Sequence, residues 1–280
     1  MEDFRGWIYN KTTAMKPELK TPITYYGGKQ QMLNAILPKI PPQHKLYVEP
    51  FFGGGAVFFA KVPSEAEVVN DISHRLMTFY RALKYDFADL REKVDETFHS
   101  RAQHKDSGEE YDAGKELVKD PLAMAWAVWI QANMSFGSQI GSGFGYDRGG
   151  KCALKLHNKK NAFTDAFQLR MKKVTIECYD VLKVIKAYDT PDTFFYLDPP
   201  YVSSNQGNYA GYTEENFRQL LEACASMQGN SCFQAILKKY WPIIESATDG
   251  RWKTMKKLWR WMADERRRKR RLNASLGTID

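Results

Sequence analysis

The chain has 280 residues, 43% of them hydrophobic and 26% charged, with a mean hydropathy of −0.53. This suits a globular protein with one catalytic domain and a sizeable insertion, or two small domains, and no run approaches the roughly 18–20 apolar residues of a membrane span. The net charge of +8 falls wholly in residues 230–280, where 13 basic side chains face 5 acidic ones and four of the seven tryptophans gather.

Met1 to Asn10 carries no apolar stretch of the signal-peptide kind, so a cytoplasmic protein is expected. Cys152, Cys178, Cys224 and Cys232 form no CxxC pair and read as reduced thiols. The five histidines show no HExxH or zinc-ligand spacing, so no metal is expected.

In chain order, a polar Gly-containing lead-in, Lys20 to Lys29, precedes a helical stretch from Gln30 to Leu37 that Pro38, Pro41 and Pro42 stop. Leu46 to Phe51 reads as a buried strand entering the turn Gly53-Gly54-Gly55, and Ala56 to Lys61 is helical. Glu67 to Ile72 is a second strand ending in Asn70-Asp71, followed by a helix over Ser73 to Lys84. This αβ alternation predicts a Rossmann-like, doubly wound parallel sheet with helices on both faces. From 86 to 172 the pattern changes to a mostly helical insertion: a charged helical stretch, an apolar helix from Ala123 to Asn133, and a flexible Gly-rich loop, Gly137 to Gly150. Strands return at Lys173 to Tyr179, before Asp180, and at Phe194 to Leu197, before Asp198-Pro199-Pro200-Tyr201. A last helix runs from an N-cap at Thr213 to Met227, with Asn216 at the capping-box position.

Two motifs carry chemistry. Glu49-Pro50-Phe51-Phe52-Gly53-Gly54-Gly55 puts glycines at a strand-to-helix turn, where backbone can approach a ligand, and Asp71 ends the next strand where a carboxylate can meet a ribose. A plain tight turn with a solvated Asp is the alternative. Asp198-Pro199-Pro200-Tyr201 is more specific. Its prolines end the ladder, leaving an acid, a rigid carbonyl and an aromatic ring at the sheet edge, a site suited to a planar base with an amino group.

Residues 20–229 resemble the Dam-type DNA adenine methyltransferases, which use S-adenosylmethionine (SAM). The resemblance lies in Tyr25-Tyr26-Gly27-Gly28-Lys29, EPFFGGG, Asn70-Asp71, Asp180 and DPPY, met in the family's order. It implies a SAM-binding catalytic domain from 20–85 and 173–229 and a target-recognition insertion at 86–172. It implies SAM contacts from Tyr25, Lys29, Phe52, Gly53, Gly55, Asp71, Asp180 and Asp198, and a flipped adenine held by Asp198, Pro199 and Tyr201. No metal is implied. The partner would be double-stranded DNA, met by basic residues such as Arg148, Lys151 and Lys155 of the insertion. A restriction endonuclease encoded nearby and a monomeric state are further expectations.

The resemblance stops near Gly229. There the family continues approximately as GKFLLSSYPS, whereas this chain reads Gly229-Asn230-Ser231-Cys232-Phe233-Gln234-Ala235-Ile236-Leu237. One permitted codon set, GGA AAT TCC TGC TTT CAA GCT ATC CTT, spells the observed residues, and one added A after GGA spells GKFLLSSYP. The tail at 230–280 then reads as out of frame, implying a sheet without its last strands and an inactive remnant of the enzyme. The alternative is an authentic basic tail, with Trp252, Met255, Leu258, Trp259 and Met262 on one helical face before a run of arginines, and a non-enzymatic nucleic-acid binder as its function. A nicotinamide-dependent Rossmann enzyme is opposed by the absence of GxGxxG and the presence of DPPY.

Overall fold

Five strands form one parallel sheet: β1 Leu46–Glu49, β2 Ala66–Asn70, β3 Val174–Glu177, β4 Thr193–Leu197 and β5 Asn230–Phe233, in spatial order β3-β2-β1-β4-β5. The computed structural model describes residues 19–115, 117–200 and 212–233. Among these the helices are α1 Leu33–Ile36, α2 Ala56–Ala60, α3 His74–Tyr85, α4 Phe87–Glu96, α5 Arg101–Ala113, α6 Pro121–Met134, α7 Lys151–Ala162, α8 Ala166–Met171, α9 Val181–Tyr188 and α10 Glu214–Ser226.

The central strands are apolar along their length because both faces are covered. Tyr47, Val69, Phe194 and Tyr196 face one apolar cluster with side chains of α2, α3 and α6. Val48, Val68, Phe195 and Leu197 face the other, with Val184, Ile185 and Leu220 of α9 and α10. The alternation along β1 and β4 is the period-two pleat. Register places Val48 opposite Val68 and Phe195.

Helix α6 is apolar nearly all round and is buried from Met124 to Met134 except at Trp126. It starts where Asp120 accepts from the Leu122 and Ala123 amides at 2.9 and 3.0 Å, with Pro121 in the first turn. The cluster it joins runs without a break from the sheet to Phe163 and Phe167 beyond it. Arg170 of α8 fastens the insertion's end to the sheet. Its guanidinium pairs with Glu67 of β2, donates to the Phe58 carbonyl at 2.9 Å and lies 3.6 Å over the Phe58 ring, while Lys61 reaches Glu67 at 2.5 Å.

The expected strand and helix boundaries agree with the structure to within a few residues, and Thr213 and Asn216 form a reciprocal capping box. Two expectations are corrected. The lead-in helix at 30–37 is a short α-turn flanked by 3₁₀ turns. The sheet also does not end at β4: β5 pairs with it in parallel, Phe194 opposite Asn230 and Leu197 opposite Phe233. Asp189 guides the chain in by accepting the Gly229 amide at 2.9 Å, and a Cβ on Gly229 would lie 2.8 Å from the Thr193 carbonyl oxygen, so only glycine fits there. Residues beyond Phe233, including the proposed tail helix, lie outside the described residues.

Candidate active site

Connections leave β1 toward β2 on one side, while β4 and β5 lie on the other, so a crevice opens at the carboxyl ends of β1 and β4. Ligands bind open α/β sheets at such switch points. A cleft of about 880 Å³ lies there, lined by residues 25–29, 49–57, 70–76, 179–182 and 198–200 and by Tyr212. It brings together Tyr25, Lys29, Phe52, Gly53, Gly55, Asp71, Asp180, Asp198 and Pro199 from five separate motifs. Tyr201 lies outside the described residues, and Arg148, Lys151 and Lys155 are exposed elsewhere.

The glycine turn is shaped by the protein's own aromatic rings. Gly53 and Gly55 adopt φ of +49° and +65°, which side-chain-bearing residues rarely tolerate. A Cβ on Gly55 would sit 2.7 Å from the Phe52 ring and 3.0 Å from Phe59. Phe52 is tucked beneath the turn, its ring centre 4.6 Å from that of Tyr80, whose hydroxyl donates to the Gly53 carbonyl at 2.8 Å. Tyr25 covers the other side, and a Cβ on Gly54 would meet its Cβ at 2.8 Å.

Asp71 was expected at a ribose. One of its oxygens accepts the Gly53 amide at 3.0 Å and the other the Ser73 amide at 3.0 Å, so the carboxylate fixes the turn and the start of α3. Burial pushes its pKa up, and those two amides oppose the rise. Its neighbour Asn70 stitches three strand ends together: its Nδ2 donates to the carbonyls of Pro50 and Tyr179 at 3.0 and 3.1 Å, and its Oδ1 accepts the Tyr179 amide at 2.8 Å.

Asp198 and Lys29 meet across the cleft at 2.6 Å, and Lys29 also donates to the Gly27 carbonyl at 2.8 Å. Burial raises the Asp198 pKa, while the Lys29 ammonium lowers it and favours the carboxylate. Behind them Glu49, at 2% exposure, accepts the Tyr47 hydroxyl at 2.7 Å. Burial, with the Asp198 charge adding to it, pushes the Glu49 carboxyl up to about 8, although the Tyr47 hydrogen bond opposes this. The site thus contrasts a Glu49 carboxyl pushed up to about 8 with an Asp198 whose rise on burial is opposed by its lysine partner.

Asp180 lines the cleft, and its Oδ1 also caps α9, accepting the Leu182 and Lys183 amides at 3.0 and 3.2 Å. Sequence reasoning assigned no role to Glu49, Ile72, Tyr179 or Tyr212, all of which line the cleft. Ile72 is 71% and Tyr179 52% exposed at its mouth. Large apolar surfaces left bare beside a pocket suit a flat apolar ligand face. Position next to Asp71 and Asp180 was the available signal for these two. Tyr212, edge-on to Phe51, has a buried hydroxyl without a partner among the described residues.

In the insertion, Arg148, Lys151 and Lys155 are exposed and form no ion pair among the described residues, and Lys155 donates to the Ser138 hydroxyl at 3.3 Å. Beside them Phe136 and Tyr146 are 73% and 66% exposed, and the Arg101 guanidinium lies 5.1 Å from the Tyr146 ring centre.

The D12 class N6 adenine-specific DNA methyltransferase family matches residues 25–125 and 146–236. Type II methyltransferase M1.LlaDCHI of Lactococcus lactis is 28% identical over 201 residues, covering 68% of this chain and 69% of that protein. Type II methyltransferase M.MjaIII of Methanocaldococcus jannaschii is 26% identical over 224 residues, covering 71% and 75%. A DNA adenine methylase of Haemophilus influenzae is 24% identical over 254 residues, covering 78% and 79%. The family match extends past Gly229, to residue 236, and favours an enzyme over a non-enzymatic binder. The chain belongs to the D12 class of N6 adenine-specific DNA methyltransferases, which transfer a methyl group from a methyl donor to the exocyclic amino group of adenine in DNA.

Proposed function

We propose that the cleft binds SAM together with one extrahelical adenine, and that the observation carrying this is the meeting of Asp198 with Pro199 at the switch point, beside the glycine turn. The fit to SAM rests on the lining. Its acidic groups, Asp71, Asp180 and Asp198, suit a cationic ligand, and the bare faces of Ile72 and Tyr179 suit an adenine ring. When bound, SAM supplies a methyl group activated by its sulfonium charge. Tyr25, Phe52, Gly53 and Gly55 shape the methionine end of the pocket, and Asp71 and Asp180 its nucleoside end.

An adenine amino group is a poor nucleophile because its lone pair is delocalised into the ring. The Asp198 carboxylate and the Pro199 carbonyl would accept hydrogen bonds from its two N–H groups, direct the lone pair toward the methyl and stabilise positive charge developing on nitrogen, which sheds one of those protons to solvent once methylated. Tyr201 stacks on the base, offsetting part of the few kcal/mol needed to unstack it. Lys29 opposes the rise that burial imposes on the Asp198 carboxyl until the base arrives. This chemistry calls for no metal.

Residues 86–172 are assigned to DNA recognition, with Arg148, Lys151 and Lys155 on phosphates and exposed aromatics nearby. Replacing all three basic residues by Ala is expected to weaken DNA binding and flatten its salt dependence by roughly two to three in log–log slope, with SAM affinity unchanged. An unchanged slope would remove these residues from the interface. The type II designation of two relatives supports a role beside a restriction endonuclease, and we place the enzyme in the cytoplasm as a monomer. No helix among the described residues is long and apolar enough to cross a membrane. For the segment after Gly229 we keep the out-of-frame reading, supported by the charge and tryptophan discontinuity, but not the inactivity tied to it, because β5 pairs with β4 and the family match runs to residue 236. The nucleotide sequence at the Gly229 codon tests it directly.

A further inference from the structure

Two amides interrupt the otherwise apolar inner part of α6: Gln131, 1% exposed, and Asn133, 7% exposed. A buried amide is costly unless its polar atoms are satisfied, and each of these is satisfied by a different part of the molecule. Gln131 Oε1 accepts the Ser135 hydroxyl at 3.2 Å and the Gly141 amide at 3.3 Å, and its Nε2 donates to the His104 carbonyl at 2.9 Å and the Ser107 hydroxyl at 3.0 Å. The His104 ring nitrogen meets the Ser135 hydroxyl at 2.9 Å. These contacts close the base of loop 135–146, where Ser135 bridges to Phe144 and the Phe136 amide donates to the Gly143 carbonyl at 2.7 Å. The Gly-rich loop expected to be flexible is therefore held from beneath.

Asn133 lies about 200° around the helix from Gln131. Its Oδ1 accepts both the amide and the hydroxyl of Thr24, at 3.2 and 3.1 Å, and its Nδ2 donates to the Trp129 carbonyl at 3.0 Å. Thr24 directly precedes Tyr25 to Lys29, the segment that covers the glycine turn and pairs with Asp198. The family match breaks over 126–145, the stretch holding both amides and most of the loop.

We infer that Gln131 and Asn133 are positioning residues with separable effects: Gln131 holds loop 135–146 in the shape that engages DNA, and Asn133 holds Thr24 to Lys29 in the geometry that SAM and Asp198 require. The first half rests on the assignment of residues 86–172 to DNA recognition.

Gln131→Met keeps length and removes the polar contacts. Asn133→Leu removes the acceptor for Thr24, and Asn133→Asp retains it. Loss of one or two buried hydrogen bonds predicts about a tenfold effect. Gln131→Met should raise the DNA KM about tenfold with the SAM dissociation constant unchanged. Asn133→Leu should weaken SAM binding or lower kcat about tenfold with the DNA KM unchanged, and Asn133→Asp, which keeps the acceptor for Thr24 but loses the donor to the Trp129 carbonyl, should recover part of the loss. Thr24→Val, a milder change on the other side of the same contact, should move the same parameters as Asn133→Leu by roughly two- to threefold, which keeps the test decisive if Asn133→Leu does not fold. Thr24→Val at wild-type values, or equal changes in DNA and SAM parameters for both positions, or a fall in melting temperature alone, overturns the inference. A normal DNA KM in Gln131→Met overturns it while leaving the recognition reading intact if the Arg148, Lys151, Lys155 triple variant is impaired. If that triple variant is also normal, both fall together.

Discussion

Glu49→Gln is expected to change how stability depends on pH by an amount the structure sets. Glu49 ends β1 almost without exposure, and burial pushes its carboxyl from the ordinary 4.5 up to about 8. The folded chain then holds a proton that the unfolded chain has released between about pH 4.5 and 8. For such a group the stabilising contribution is fully present below the unfolded pKa and is lost as pH rises through the folded one. At 1.36 kcal/mol for each pH unit, the loss across the window is at most about 5 kcal/mol, a large part of the roughly 5–15 kcal/mol typical of a domain. Gln is neutral throughout and keeps an oxygen for the Tyr47 hydroxyl. Asp71 and Asp198 are also raised by burial, but they are common to both proteins and largely cancel in the difference. Urea unfolding followed by tryptophan fluorescence should give nearly equal stabilities near pH 5, and a variant more stable by several kcal/mol near pH 8.5. Parallel profiles would mean that Glu49 is ionised in the folded chain, and the burial argument would fail.

Three further outcomes follow from the same geometry. Gly55→Ala forces a side chain into the left-handed region and against Phe52, and should cost about 2–4 kcal/mol in a denaturant titration and weaken SAM binding; a loss under about 1 kcal/mol would show that the turn relaxes freely. Arg170→Met leaves the nearly buried Glu67 with Lys61 as its one ion-pair partner among the described residues and should destabilise by about 3–5 kcal/mol, read by urea unfolding. Lys29→Met removes the charge that holds Asp198 down, so the acid limb of the pH–kcat profile should move to higher pH, with partial recovery in Lys29→Arg. An unmoved limb would separate Lys29 from the ionisation of Asp198.

The sheet was legible because doubly covered strands carry continuous apolar runs, Leu46–Val48 and Phe194–Leu197, and because Ser73, Thr213 and the glycine turn mark where helices begin. Helix α9 was not anticipated, although Asp180 before Val181 is an N-cap signal. Asp180 has a second role there, accepting the Leu182 and Lys183 amides. The cleft's membership was legible from motif order, but its internal pairing was not: Lys29 and Asp198 are far apart in the chain, and no local pattern joins them. Likewise Asp71 read as a ligand acceptor, and its further hold on the Gly53 and Ser73 amides appears only once the turn is folded beside it. Strand β5 shows why a composition break need not end a sheet. Its ladder joins backbone groups, which Asn230–Phe233 supply whatever their side chains.

Methyl transfer from SAM carrying a tritiated methyl group to unmethylated DNA, measured for this chain and for Asp198→Asn alongside SAM titrations, probes the central claim most directly. The chain should place label on the adenine amino group, and the variant should lose on the order of a hundred- to a thousandfold in rate while still binding SAM. Wild-type transfer by Asp198→Asn would contradict the account.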